Sequence, residues 1–271
     1  MNTEPLIIAH RGASSIAPEN TIAAANQAFE VGADLWETDI AVTSDEQLIL
    51  FHDASLQRTT NVAAVFPKRK HQVFTQFTLA EIQRLDPGIH FIEHDPFGEI
   101  NKGSISRETL ASFKDEKIPT LEDALIFTRE KDWKINLELK TLPENFKDFP
   151  ITQRVIELIR TLEIDPGRLI ISSFNHPWLR QVIAMEPSIE VQALIGYFES
   201  KPLDWGDFSF PVYNARSTLI DEDQIARAKD KRKLINLFTV NEKDEIIRFI
   251  NTGVNGLITD YPQRIVAIAG E

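Results

Sequence analysis

Short apolar runs alternate with longer amphipathic stretches along most of this chain. Nine runs have the length and composition of strands: residues 5–10, 35–43, 48–53, 134–140, 169–174, 190–196, 211–216, 234–240 and 256–260. Between most of them apolar residues recur at helical spacing, over residues 19–31, 120–129, 151–162, 177–184, 221–229 and 242–251. Gly32 suits the end of the first helix, and the last is expected to open after Asn241 and close at Gly253. Runs 35–43 and 48–53 are separated by four residues, 44–47, too few for a crossover helix, so they should form an antiparallel hairpin. If its return arm is not a stave, eight strands joined mostly by helices remain. That count predicts an α/β fold, a TIM (β/α)8 barrel with a hairpin arm, over an open doubly wound sheet. Residues 54–132 break the rhythm. They hold no clear strand, and residues 86–117 carry Pro, Gly, His and many charges, which reads as an insertion or lid over one mouth of the barrel. With no linker, repeat or low-complexity tract, residues 1–271 read as one barrel with that insertion.

Composition narrows the partners. The 271 residues carry 41 acidic against 29 basic groups, a net charge of -12, which argues against nucleic acid or an anionic membrane face as partner. A small anionic substrate fits only where a metal or local Arg and Lys reverse the potential. The absence of cysteine excludes disulfides, thiolate metal sites and a Cys nucleophile, and agrees with a reducing cytoplasm. Residues 1–10 lack the pattern of a secretory leader, and no stretch approaches the roughly 18 apolar residues of a membrane span. The expectation is a cytoplasmic protein without stable membrane insertion. Oligomeric state is not legible.

Ionisable residues gather at the ends of the strand runs. His10 and Arg11 follow LIIA, Glu37 and Asp39 lie two apart within one run, His52 and Asp53 end another, and Glu138 and Lys140 follow KINL. Residues two apart on a strand share a face. Each feature alone has an ordinary reading: Glu37/Asp39 as the solvent side of an edge strand, Glu138/Lys140 as an exposed pair, a strand-end histidine as a solvated group. Together they fall at the C-terminal mouth of a barrel, where catalytic groups collect. Three carboxylates without sulfur suit a hard divalent cation, Mg²⁺ or Ca²⁺. Two flanking histidines suit acid and base catalysis, and Arg11 and Lys140 suit a phosphoryl group.

At this point the residues resemble a known family. The block from His10 to Asn61, beginning HRGASSIAPENT and ending LQRTTN, is similar to the N-terminal signature of glycerophosphodiester phosphodiesterases. IPTLEDAL, NLELK, SF, FTVN and GVNGLITDYP follow in the family's order, to Pro262. The resemblance implies a TIM barrel with Glu37, Asp39 and Glu138 as metal ligands and His10 and His52 as the acid/base pair. It places Arg11 and Lys140 on the phosphate and Glu19 and Asn20, of the PEN element, as supporting or positioning groups. The implied reaction releases glycerol 3-phosphate and an alcohol such as choline or ethanolamine, by attack of a glycerol hydroxyl or of water. Phe238 stands where the family commonly has Trp, as a wall for glycerol. Asp45-Glu46 replaces the usual Asp-Gly turn, and the link after RTTN is atypical.

Three other readings separate from this one. A lysophospholipase D would need an apolar acyl channel, for which Phe91, Phe97 and Phe113 are candidates. A barrel that binds without turnover would be expected to lose a carboxylate or histidine, and none is missing. An amidohydrolase-type enzyme would present more than two strand-end histidines. His71, His90, His94 and His176 lack motif context, Lys68-Arg69-Lys70 reads as a solvated run, and Trp133, Trp178 and Trp205 read as packing residues.

Overall fold

The computed structural model describes residues 4–199, 202–206 and 208–269; residues 1–3 of the segment read for a leader lie outside it. All nine expected strands form: β1 Leu6–His10, β2 Leu35–Val42, β3 Leu48–Leu50, β4 Ile135–Leu139, β5 Leu169–Ser173, β6 Glu190–Ile195, β7 Val212–Arg216, β8 Leu234–Phe238 and β9 Gly256–Thr259. Eight are parallel staves in the order β1-β2-β4-β5-β6-β7-β8-β9, and β9 pairs back to β1, so the barrel closes. The short β3 lies antiparallel on the end of β2, with Ile40 opposite Leu50 and Val42 opposite Leu48.

These strands read as apolar runs because a barrel stave is covered on both sides. On β2, Trp36 faces the helix Leu121–Glu130, where its indole N–H donates to Thr128 Oγ1 at 3.1 Å, while Glu37 and Asp39 face the barrel interior and are buried. The edge-strand reading of that pair is therefore excluded. The hairpin turn holds Glu46 at φ 60°, a left-handed conformation that glycine adopts freely, and Asp45 accepts from the Leu79 backbone at 2.9 Å.

The first helix spans Ile22–Glu30, starting later than its apolar pattern. Thr21 is the N-cap, accepting from the Ala24 backbone, and Asn20 sits at φ 57° just before it. Glu19 and Asn20 are thereby released from the helix and turned to the barrel mouth. The helix Lys243–Thr252 does close at Gly253 in the left-handed region, but Glu242 is its N-cap residue and Asn241 is employed elsewhere.

The atypical segment forms short helices, including Pro87–His94 and Arg107–Ser112. Phe91 and Phe113 are buried edge to face and pack with Ile105 on Ala17 and Ala24. Phe97 stands edge-on to Tyr261 at 5.7 Å. These rings pack the segment against the first helix and Tyr261. Within residues 54–132, Ala54 alone among the described residues lines the central cavity.

Candidate active site

The C-terminal ends of the staves open into a cavity of about 690 Å³ lined by His10, Arg11, Glu37, His52, Glu138, Lys140 and Phe238. Barrel closure brings together groups that the chain keeps far apart. β1 runs beside β9, so His10 meets Asp260, with Nδ1 2.6 Å from Oδ1. Asp260 also accepts from Ser14 Oγ at 3.0 Å and from Asn241 Nδ2 at 2.7 Å. Asn241 Oδ1 accepts in turn from the Asp260 backbone, so the carboxylate is held from both sides. Burial alone would raise Asp260, but His10 and the two other donors, Asn241 and Ser14, outweigh it and hold the carboxyl at about 2. Burial and Arg11 oppose protonation of His10, yet Asp260 and Glu37 together raise its pKa.

Arg11 and Gly12 make the turn that follows β1, at φ 57° and 81°. A Cβ on Gly12 would lie 2.5 Å from the Ala24 carbonyl carbon, so glycine is required for the loop to approach the first helix. That approach lets the Arg11 backbone N–H donate to Glu37 Oε2 at 3.1 Å. The guanidinium donates to Glu19 Oε1 at 2.9 Å and stands 3.3 Å from Asp39 Oδ2. Asn20 Nδ2 donates to the same Asp39 oxygen at 2.9 Å, and Lys140 Nζ lies 3.3 Å from both Asp39 Oδ1 and Glu138 Oε1.

Ligand atoms of Glu37, Asp39 and Glu138 fall within 4.8 Å of one another. Burial and the neighbouring Asp39 charge push Glu37 up to about 8, and burial raises Glu138 despite Lys140. For Asp39, Lys140 and Arg11 overcome burial and keep the carboxyl well below the usual range. Glu37 Oε1 is buried without a hydrogen-bond partner among the described residues. An orphaned carboxylate oxygen beside two further carboxylates is relieved by a hard divalent cation, so the donor set fits one.

His52 follows β3, and its Nδ1 lies 2.6 Å from Asp53 Oδ1. Arg58 grips both Asp53 oxygens, at 2.5 and 3.0 Å, and both Glu19 oxygens, each at 2.7 Å. One chain of charge therefore runs from His52 through Asp53, Arg58 and Glu19 to Arg11. Phe238 faces Phe174 at 6.0 Å, and Phe174 meets Tyr197 at 5.2 Å, which makes one wall of the cavity aromatic.

Each residue that the sequence suggested for the site lies in this mouth or touches one that does: Glu19, Asn20 and Asp39 meet Arg11, and the others line the cavity. Sequence reasoning missed Asp260, Arg58, Asn241 and the roles of Asp53 and Tyr197. Asp260 carries the same signal as His10, a polar group ending an apolar stave; Arg58 carries no local signal. His176 Nε2 donates to the Leu194 carbonyl at 3.0 Å, and Trp133 is buried with its N–H on Ala33 O. No described helix is long and apolar enough to cross a membrane.

Comparison with known proteins agrees with this arrangement. The chain is 34% identical to a glycerophosphodiester phosphodiesterase of Caldanaerobacter subterraneus over 96% of both chains. It is 29% identical to one from Bacillus altitudinis over 98% of both. Its fold is similar to a phosphodiesterase of Oleispira antarctica solved in complex with the product sn-glycerol-3-phosphate, with TM-score 0.78, 25% identity and coverage of 99% and 98%. Residues 10–264 match the Glycerophosphoryl diester phosphodiesterase family, and with the barrel and its mouth arranged as described, the chain belongs to that family.

Proposed function

We propose that this protein hydrolyses glycerophosphodiesters, such as glycerophosphocholine or glycerophosphoethanolamine, to glycerol 3-phosphate and an alcohol. One arrangement carries the proposal: two histidines, each tied through Nδ1 to its own carboxylate, border a cavity lined also by Glu37, Glu138, Arg11 and Lys140, with Asp39 buried against Arg11 and Lys140. With Nδ1 engaged, Nε2 is the ring nitrogen left to exchange a proton with substrate.

Glu37, Asp39 and Glu138 would hold Mg²⁺ or Ca²⁺. When bound, such an ion stabilises negative charge that builds on the phosphoryl oxygens. Arg11 and Lys140 orient the phosphoryl group, and Phe238 walls the glycerol. Glu19 and Asn20 act through others, steadying Arg11 and Asp39. One histidine takes the proton of the attacking hydroxyl, and the other delivers a proton to the departing alcohol oxygen. If the neighbouring glycerol hydroxyl attacks, the P–O bond to the alcohol breaks as a cyclic phosphate forms. Water then opens the ring with the proton roles exchanged.

The test is release of glycerol 3-phosphate from glycerophosphocholine before chelation, after exhaustive chelation, and after addition of Mg²⁺ or Ca²⁺. Activity is expected to vanish and return. Full turnover in chelator overturns the role of the carboxylates, and no turnover of any glycerophosphodiester overturns the substrate class.

A further inference from the structure

Interiors of such barrels are ordinarily filled by layers of branched apolar side chains. Ile8, Leu35, Ile170 and Ile258 form one such cluster here. Beside it the staves carry amides and hydroxyls instead. Asn236 Nδ2 donates to Asn214 Oδ1 at 2.8 Å and to Gln192 Oε1 at 3.2 Å. Besides Arg11 Nε, Glu37 Oε1 and Ser217 Oγ, three cavity-lining polar atoms remain without a hydrogen-bond partner among the described residues: Asn136 Oδ1, Ser172 Oγ and Asn214 Nδ2. Their residues are 1%, 1% and 0% exposed, and all three line the cavity. Buried polar groups in folded proteins are almost always paired, so a trio of orphans facing one cavity points to a ligand.

Their place and chemistry say which kind. Asn136 lies beside Glu37 across the β2–β4 ladder, and Ser172 beside Glu138 across β4–β5. Asn136 and Ser172 therefore border the carboxylates, and Asn214 lines the same cavity from β7. Asn136 Oδ1 only accepts, Asn214 Nδ2 only donates, and Ser172 Oγ does either. A phosphate oxygen would leave the acceptor opposed, and a quaternary ammonium would satisfy neither donor nor acceptor. A hydroxyl, which gives one proton and receives others, matches the set.

We propose that Asn136, Ser172 and Asn214 form a subsite that hydrogen-bonds the free hydroxyls of one arm of the diester. This rests on the phosphodiesterase reading above. The arm is either the glycerol that stays on phosphorus or a polyol that departs, and the experiment separates the two.

Ser172→Ala removes one orphan, and Asn136→Leu, of similar volume, is the second variant. With Mg²⁺ present, calorimetry compares glycerol 3-phosphate with n-propyl phosphate, and kinetics compare glycerophosphoinositol with glycerophosphocholine. A glycerol-arm subsite weakens glycerol 3-phosphate about tenfold in each variant, the loss of roughly one hydrogen bond, and leaves propyl phosphate unchanged. A subsite for the departing polyol leaves both phosphates unchanged and raises KM about tenfold for glycerophosphoinositol alone. The melting temperature of Ser172→Ala should hold or rise, because an unpaired buried hydroxyl contributes nothing to the fold. Equal behaviour of all ligands in both variants, or loss of binding that tracks a fall in melting temperature, overturns the subsite. Absence of any hydrolysis by the unmodified protein sinks the parent reading instead, while binding by calorimetry still decides the subsite.

Discussion

Replacing Asp260 by Asn keeps the shape of the side chain and removes its charge from His10. The interaction is close and sheltered: Oδ1 is 2.6 Å from Nδ1, and the Asp260 side chain is 15% exposed. Its carboxyl stands at about 2 against an ordinary 3.8, a preference for the ionised form of roughly 2 kcal/mol at about 1.4 kcal/mol per unit. His10 supplies the largest favourable share, and the imidazolium gains reciprocally. If protonated His10 forms in the rate-limiting step, losing roughly 2 kcal/mol slows turnover about 30-fold. Loss of the tautomer that Asp260 imposes slows it further. The assay is kcat/KM for glycerophosphocholine across pH. Turnover should fall at least 30-fold, and the limb due to His10 should move to lower pH, since a neutral amide no longer raises it. The linkage sign is independent of catalysis: a depressed carboxyl contributes stability above pH about 4, lost as pH falls through about 2. Asp260→Asn should therefore be less stable than the parent at pH 7 by roughly 2 kcal/mol, with the gap closing in acid. Turnover within threefold of the parent, with an unmoved limb, would refute the pairing.

Other perturbations reach different parts of the site. His10→Ala or His52→Ala should each lower kcat by about 10² to 10⁴-fold, and normal kcat in either removes that residue from proton transfer. Gly12→Ala forces a Cβ to 2.5 Å from the Ala24 carbonyl carbon at φ 81°, and should cost about 2–4 kcal/mol, read as a melting temperature lower by roughly 5–10 °C. An unchanged melting curve contradicts the close approach. Arg58→Ala frees Asp53 and Glu19 together and should lower kcat about tenfold. Arg58→Lys should recover little of it, because an ammonium cannot span both carboxylates; full recovery would show that only charge matters there.

Much of the barrel was legible because its staves are covered on both faces and so appear as apolar runs in any window of five or six residues. The same runs exposed His10, Glu37, Asp39, His52, Glu138 and Lys140, since ionisable groups at the ends of buried strands stand out against them. Capping was less legible. Asn241 has the chemistry of a helix cap, but its amide serves Asp260, a partner no local pattern reveals. The phenylalanines at 91 and 113 are as apolar as a lipid channel would require, and only packing on Ala17 and Ala24 identifies them as an anchor.

Strand and helix identity, the hairpin, and the residue types of the site follow from periodicity, which is local and survives in the bare chain. Pairing does not. His10 and Asp260 lie 250 positions apart, Arg58 and Glu19 lie 39 apart, and each pair meets only in the folded chain. Whether a carboxylate is a solvated surface group or a buried, raised one such as Glu37 is likewise a matter of what surrounds it, because burial and neighbouring charge are properties of the packed barrel.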